Sequence, residues 1–138
     1  MKENRKDYTI VSKISEIDGA VTKATDFARK QGFSDDDIFG IDMAMREAVA
    51  NAVKHGNRLD ETKNVEISLS ESGTVLSISV RDFGEGFSVD AVPDPTNPEN
   101  LLKESGRGIL FMQTFVDRVE WHNHSEGGMI VKMTKTQA

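Results

Sequence analysis

Three polar side chains recur at helical spacing in the segment REAVANAVKHGN, residues 46–57. Glu47 and Asn51 are four residues apart, which places them on one face of an α-helix, and His55 extends the same row. The residues between them are small or apolar, so burying a carboxylate and an amide there without partners would cost several kcal/mol. The pattern therefore indicates either a solvated helix face or the wall of a polar cleft.

Taken alone, Glu47 and Asn51 fit the solvated face better, whereas in a cleft they would have distinct chemistry. The amide oxygen of Asn51 suits Mg²⁺, a hard cation that prefers oxygen ligands and keeps several waters. Glu47, one turn earlier, would be placed to take a proton from an attacking hydroxyl group. His55 is the weakest of the three candidates, because a hydrogen bond near the helix end would also account for it.

The segment RDFGEGF, residues 81–87, combines a carboxylate with two glycines after an apolar, strand-like run. Gly84 and Gly86 permit positive φ and let a ligand approach the backbone. The carboxylate of Asp82 would repel phosphate, but it can accept a hydrogen bond from an exocyclic amine such as N6 of adenine. A plain tight turn is the alternative interpretation.

A second glycine-rich segment, SGRGILFM, covers residues 105–112. Gly106 and Gly108 flank Arg107 at a predicted helix start, where free N–H groups and the helix dipole bind anions readily. Arg107 adds a permanent positive charge with several donors. The alternatives are a glycine turn for close packing and an RNA-binding RG segment. The net acidity of the chain and the single occurrence weigh against the RG segment.

Composition limits the classes of protein to which the chain can belong. Its 138 residues are the usual size of one domain, so a single domain over residues 1–138 is predicted. Seventeen basic and 23 acidic residues give a net charge of −6, which argues against direct binding of nucleic acid. No apolar run approaches the roughly 18 residues that span a bilayer, and no signal peptide is recognisable. We therefore expect a cytoplasmic protein without a membrane partner.

Hydrophobic periodicity predicts the elements that would position these residues. Helices are expected over 15–31 and from Ser34, a suitable cap, to about His55. Residues 88–105 hold all three prolines and predict a mobile lid. The other predicted elements are a strand at 8–14, a hairpin of 65–70 and 74–82, a helix at 106–117 and a closing hairpin around 125–128. This order predicts an α+β two-layer sandwich, with helices on one face of a mixed, largely antiparallel sheet.

In this order, the three motifs resemble the N, G1 and G2 boxes of the GHKL ATPases. They read EAVANAVKHG (47–56), DFGEGF (82–87) and GRGILFM (106–112). The chain is similar to the anti-sigma factor serine kinases of bacterial partner-switching systems in three features: its short length, its compact lid and the residues of its first motif. The resemblance covers roughly residues 8–135. Its combined motifs are highly specific for the ATP-binding fold and less specific for the partner.

The resemblance implies the Bergerat fold, with ATP and Mg²⁺ as cofactors. It implies one role for each motif residue: Glu47 as catalytic base, Asn51 as Mg²⁺ ligand, Asp82 as acceptor for adenine N6, Gly84 and Gly86 as the adenine pocket, and Gly106, Arg107 and Gly108 as phosphate contacts. The family often has Gly-Thr in the last hairpin, where the hydroxyl helps to hold an adenine-proximal water. This chain has Gly128-Met129 at the matching place.

The resemblance also implies partners. Members of the family bind a sigma factor and phosphorylate a serine or threonine of a small STAS-domain antagonist, commonly as dimers. The chain is thus expected to be an anti-sigma factor serine/threonine-protein kinase of the bacterial cytoplasm. A non-catalytic module, in which ATP orders the lid so that it captures a protein partner, is the main alternative. The presence of Glu47 favours the kinase.

Other kinase and nucleotide-binding classes fit less well. The DFG triplet at 82–84 lacks the strand lysine and the H-R-D loop of protein kinases, and no P-loop motif is present. A histidine kinase fragment would need a phosphoacceptor helical hairpin, for which the chain has no room. His122 and His124 could share a strand face, but no third metal ligand is in view, so a solvated strand end is favoured.

Overall fold

A computed structural model describes residues 4–84 and 104–137, except for the side chains of residues 104–107. In these described ranges, five strands and three α-helices follow one another: β1 (Asn4–Val11), α1 (Ile17–Lys30), α2 (Asp35–Asn51), β2 (Asn64–Ser72), β3 (Val75–Arg81), α3 (Glu104–Phe115), β4 (Arg118–Asn123) and β5 (Met129–Thr136). A 3₁₀ turn (Ile14–Glu16) precedes α1, and a π-helical turn (Ala52–Gly56) continues α2. Within these described ranges, no helix combines the length and apolarity needed to cross a bilayer.

The strands form one sheet in the order β1-β2-β3-β5-β4, and every neighbouring pair is antiparallel. The predicted α+β architecture is confirmed, although the described sheet is antiparallel throughout rather than mixed. The register places Ile67 opposite Val80, and Val80 opposite Val131. These side chains share the inner face of the sheet because successive residues of a strand point to opposite sides.

All three helices cover the inner face of the sheet, and α2 packs between α1 and α3. The alternation predicted for the first hairpin is present: Val65, Ile67 and Leu69 are buried, while Glu66 is exposed. The buried stripe of α2 completes the core with Ile38, Ile41, Ala44, Met45, Ala48 and Val49. The central helix therefore has one apolar side against the sheet and a second, more polar side toward α3.

The start of α2 agrees with its sequence signal. The hydroxyl of Ser34 accepts a hydrogen bond from the N–H of Asp37 (3.2 Å), which satisfies one of the free donors of the first turn. Asp37 is buried, and its Oδ1 lies 3.7 Å from Nζ of Lys135 on β5. This ion pair joins the helix start to the sheet and helps to fix the direction of the helix.

The end of α2 and the start of α3 differ from the predictions where the two helices border the candidate site. The α-helical hydrogen bonds of α2 give way after Asn51 to the π-helical turn, since the N–H of Asn57 donates to the carbonyl of Ala52 (2.8 Å). Helix α3 begins at Glu104, ahead of the predicted glycine turn, so Gly106 lies in its first turn. An acidic residue suits a helix start, which favours the earlier beginning. The predicted lid lies outside the described residues up to position 103 and otherwise belongs to α3.

Candidate functional site

Asp82 immediately follows β3 on the inner face of the sheet, and its side chain is buried among backbone amides. Its Oδ1 accepts hydrogen bonds from the N–H of Gly84 (3.0 Å) and of Met129 (3.2 Å). Its own N–H donates to the carbonyl of Met129 (3.0 Å), which ties the residue to the start of β5. Both side-chain bonds use Oδ1, so Oδ2 is the oxygen that remains to accept a hydrogen bond from a ligand.

Burial raises the pKa of the Asp82 carboxyl above its usual value, and the two N–H donors and nearby Arg81 oppose that shift. The desolvation effect is the larger one because a buried carboxylate loses water as a partner. Asp82 is nevertheless held by donors that favour its charged form. The side chain is thus a fixed acceptor at the end of the sheet.

Glycines surround this carboxylate because the backbone leaves no room for a side chain. A methyl group built on Gly56 would lie 2.2 Å from Oδ2 of Asp82, and one on Gly84 would lie 1.8 Å from the carbonyl oxygen of Gly56. Gly128 has a φ of 85°, and its methyl group would lie 2.0 Å from the carbonyl oxygen of Asp82. The π-helical turn after α2, the loop after β3 and the start of β5 therefore meet at Asp82, where Gly56 contacts its carboxylate and Gly128 its backbone.

Met129 takes part in this junction through its backbone. Its N–H and carbonyl are the groups that bond Asp82, and its side chain is buried. The hydrogen bonds do not depend on the side chain, so the residue can anchor Asp82 without a hydroxyl. The methionine side chain has no hydroxyl group, so it cannot hold an adenine-proximal water in the way that the family threonine does.

A second meeting point joins α2 to the start of α3. Glu47 and Asn51 are both half-buried on the side of α2 that faces α3. A methyl group built on Gly108 would lie 2.7 Å from Nδ2 of Asn51 and 2.8 Å from Oε1 of Glu47. Gly106 and Arg107 belong to the first turn of α3, where free N–H groups and the helix dipole favour an anion. The structure thus brings Glu47, Asn51 and the N-terminal end of α3 together.

His55 differs from Glu47 and Asn51 in its exposure and in the helical turn that carries it. It is exposed in the π-helical turn, whereas Glu47 and Asn51 are half-buried. The spacing argument assumed 3.6 residues per turn throughout, and the wider turn after Asn51 changes the direction in which later side chains point.

The two meeting points lie along one helix. Glu47 and Gly56 are nine residues apart, which at 1.5 Å per residue is about 13 Å along the helix axis. Asp82 lies at the Gly56 end, and the start of α3 lies at the Glu47 end. The site is therefore elongated, with a hydrogen-bond acceptor at one end and an anion-binding helix start at the other.

Asn57 was not among the residues predicted from the sequence, but the structure places it in contact with the loop that carries Asp82. Asn57 is buried, and its Oδ1 accepts a hydrogen bond from the N–H of Phe83 (2.8 Å). It also borders a cavity of about 260 Å³, lined with it by Gly56, Arg58, Asp60, Lys63 and Gly84. The one sequence feature that could have drawn attention to Asn57 is that a polar residue follows the predicted helix end at His55 and Gly56.

Gly86 lies outside the described residues, as does most of the predicted lid. Within residues 4–84 and 104–137, no group of three or more carboxylate or imidazole side chains forms a candidate metal site.

The chain is similar to known proteins in sequence and in fold. A family model described as a histidine kinase-like ATPase domain matches residues 10–135. The serine-protein kinase RsbW of Bacillus subtilis (strain 168) is 32% identical over 114 residues, which cover 78% of this chain and 70% of that protein. The anti-sigma F factor of Clostridium perfringens (strain 13 / Type A) is 35% identical over 104 residues, which cover 72% of this chain and 73% of that protein.

Solved structures share the fold. A structure of the RsbU and RsbW domains of a Mycobacterium tuberculosis protein matches with a TM-score of 0.71 and 19% identity, over 97% of this chain and 32% of that one. The catalytic domain of the histidine kinase ThkA matches with a TM-score of 0.62 and 14% identity, over 97% of this chain and 96% of that one. At these identities the likeness shows the fold alone.

Proposed function

The chain belongs to the histidine kinase-like ATPase family, with relatives named serine-protein kinase RsbW and anti-sigma F factor, and we propose that it is an anti-sigma factor serine/threonine-protein kinase. In this proposal the chain binds a sigma factor and transfers phosphate from ATP to a serine or threonine of a STAS-domain antagonist. It works in the bacterial cytoplasm, as a homodimer, and residues 1–138 form one ATP-binding domain.

The observation that carries the proposal is the approach of Gly108 to Glu47 and Asn51. This approach puts a carboxylate next to a helix start that attracts anions. A carboxylate alone would repel a phosphate group, whereas the helix start would offset that repulsion and Arg107, by its charge, would add to the offset. A base within reach of a bound phosphate is what transfer to a hydroxyl group requires.

The other end of the site supports adenine as the base. Oδ2 of Asp82 would accept a hydrogen bond from N6 of adenine, whereas guanine carries a carbonyl oxygen at that place and would meet a carboxylate without a proton between them. Gly56 and Gly84 keep the backbone close to this oxygen, and Gly86 would extend the same pocket. With the base at Asp82, the triphosphate would run along α2 toward Gly106, Arg107 and Gly108.

The residues present fit a magnesium ion that arrives with the nucleotide. Asn51 offers one neutral oxygen, and Mg²⁺ commonly takes its other ligands from phosphates and water. When bound, the ion would neutralise phosphate charge. His55, exposed in the π-helical turn, is at most a peripheral contact in this arrangement.

In the proposed reaction, Glu47 accepts the proton of the substrate hydroxyl as its oxygen attacks the γ-phosphorus. The bond from the γ-phosphorus to the β,γ-bridging oxygen breaks, and ADP leaves. Most of the acceleration would come from positioning and charge neutralisation, as in phosphoryl transfer generally.

The test compares Glu47→Gln with Glu126→Gln, a matched change at the exposed tip of the β4–β5 turn. Labelled ATP is incubated with each variant and with a STAS-domain antagonist from the same organism. Glu47→Gln should reduce phosphate transfer by about 100-fold or more and leave ATP affinity nearly unchanged. Glu126→Gln should behave like the native chain.

Two results would contradict the proposal. Transfer by Glu47→Gln at the native rate would remove the assigned base. Tight capture of the partner by the native chain without any transfer would instead favour the non-catalytic module.

A further inference from the structure

Asn57 is a buried amide that contacts three separate parts of the chain. It is 1% exposed. Its Nδ2 donates to Oγ of Ser12 (2.8 Å), just after β1, and to the carbonyl of Asn64 (3.0 Å), at the start of β2. Its Oδ1 accepts from the N–H of Phe83 (2.8 Å), in the loop that carries Asp82. One side chain therefore connects the end of α2, two strands and the loop after β3.

The orientation of this amide follows from its partners. A main-chain N–H can only donate, so the Asn57 atom facing Phe83 must be the oxygen. A main-chain carbonyl can only accept, so the atom facing Asn64 must be the nitrogen. The hydroxyl of Ser12 accepts from Asn57 and donates to the carbonyl of Lys63 (2.6 Å). Both donors of Asn57 are therefore used, and the side chain cannot turn over without losing hydrogen bonds in a buried place.

The loop of Asp82 is held from two sides, and Asn57 provides one of them. The N–H of Asp82 bonds to Met129 on β5, and the N–H of Gly84 bonds back to Oδ1 of Asp82. The N–H of Phe83, between them, is the one that reaches the end of α2. The ring of Phe83 also contacts the guanidinium of Arg81, at 4.2 Å, but that contact leaves the peptide N–H free to turn. Without Asn57, the hydrogen bonds that join residues 82–84 to other described parts of the chain would come from the β5 side alone, and only packing against Gly56 would remain on the other side.

We propose that Asn57 is a positioning residue for base selection: by fixing the peptide of Phe83 it sets the direction of the Asp82 carboxylate, and so the preference for adenine over guanine. This inference rests on the nucleotide-binding part of the proposed function and not on phosphate transfer. Asn57 does not touch the base in this arrangement, and it acts through Asp82 alone.

A purely structural role for Asn57 would have a different signature. Loss of a buried hydrogen-bonded amide lowers stability in either case, because a buried donor is left without a partner. A structural role would weaken the binding of all nucleotides together. A positioning role changes the ratio of the affinities for ATP and GTP, because the carboxylate no longer points at the base edge that distinguishes them.

The experiment uses Asn57→Ala, with Ser12→Ala as the matched control. Ser12→Ala breaks the same buried network but keeps the bond from Phe83 to Asn57. The Kd for ATP and for GTP, and the free energy of unfolding in urea, are measured for both variants and the native chain. Both variants should be less stable than the native chain. The preference for ATP over GTP should fall by about tenfold in Asn57→Ala and persist in Ser12→Ala.

An unchanged ATP to GTP ratio in folded Asn57→Ala would overturn the inference, as would an equal loss of preference in Ser12→Ala. Should Asn57→Ala fail to fold, amide hydrogen exchange of the native chain decides. Slow exchange of the Phe83 amide supports the anchored loop, and exchange at the rate of an open loop overturns it. Loss of phosphate transfer with base preference intact would contradict the kinase and leave this inference standing.

Discussion

Replacing Gly56 by alanine should destabilise the folded chain, although alanine is normally favoured over glycine in a helix by about 1 kcal/mol. The added methyl group would lie 2.2 Å from Oδ2 and 2.3 Å from Cγ of Asp82, far inside contact distance. Asp82 would have to move by about 1 Å or more to restore ordinary contact. That movement strains the two N–H bonds to its Oδ1, each worth about 1.5–3 kcal/mol when the acceptor is charged.

The net loss should be about 2–4 kcal/mol, since the structure can relax in part and the helix preference of alanine offsets some of the cost. Gly19→Ala is the matched control: Gly19 is an exposed residue of α1, and its added methyl group would meet nothing within 4 Å. That change should stabilise the chain by up to about 1 kcal/mol. Glycine to alanine is thus expected to lower the free energy of unfolding at position 56 and to raise it at position 19.

Urea unfolding of the three proteins measures the stability difference, and titration with ATP measures the effect on the site. ATP should bind more weakly to Gly56→Ala, because the moved carboxylate is the proposed base acceptor, and normally to Gly19→Ala. If Gly56→Ala were as stable as Gly19→Ala and bound ATP like the native chain, the packing of Gly56 against Asp82 would be wrong.

Two further predictions concern Gly108 and the ionisation of Asp82. Gly108→Ala would press a methyl group against the ends of the Asn51 and Glu47 side chains, which can rotate away. Unfolding in urea should therefore change by less than about 1 kcal/mol, while phosphate transfer should fall by roughly tenfold to a hundredfold. A variant that loses stability but transfers phosphate normally would contradict this. Burial raises the pKa of Asp82, so in the pH window between the usual value of 3.8 and the raised one the folded chain binds a proton that the unfolded chain releases. Within that window the free energy of unfolding should gain a contribution from Asp82 as pH falls, and ATP affinity should drop as the charged acceptor is lost. Titrations at a series of pH values should show both effects in the native chain and neither in Asp82→Asn.

The order of the helices and strands was predictable because it depends on short-range patterns, although β1 lies at Asn4–Val11 rather than at 8–14. The alternation of apolar and polar residues predicted which side chains of β2 are buried. A capping serine followed by three aspartates predicted that α2 starts at Ser34. Spacing also predicted that Glu47 and Asn51 share a face, which the structure confirms. Their catalytic and magnesium-binding roles stay predictions, since geometry without a nucleotide does not test them.

The junction around Asp82 was not predictable from spacing, because its contacts join distant parts of the chain. Phe83 bonds to a residue 26 positions earlier, and Asp82 to one 47 positions later. Gly84 was interpreted as making room for a ligand, whereas the structure also requires it for contact with the carbonyl of Gly56. The π-helical turn was missed for the same reason: its widened hydrogen bonding accompanies the burial of Asn57, a tertiary effect that local propensity does not contain.

These contacts divide the elongated site into two ends with different kinds of support. At the proposed base end, hydrogen bonds to Asn57 and to Met129 on β5 hold Phe83 and Asp82 in place. At the proposed phosphate end, α2 and α3 meet through Gly108 and through side chains that can rotate. Changes at Gly56 or Asn57 should therefore act on which base binds and how tightly. Changes at Gly108 or Glu47 should act on the rate of phosphate transfer from bound ATP. Substitutions at one end of the site should therefore alter nucleotide affinity, and substitutions at the other end should alter phosphate transfer.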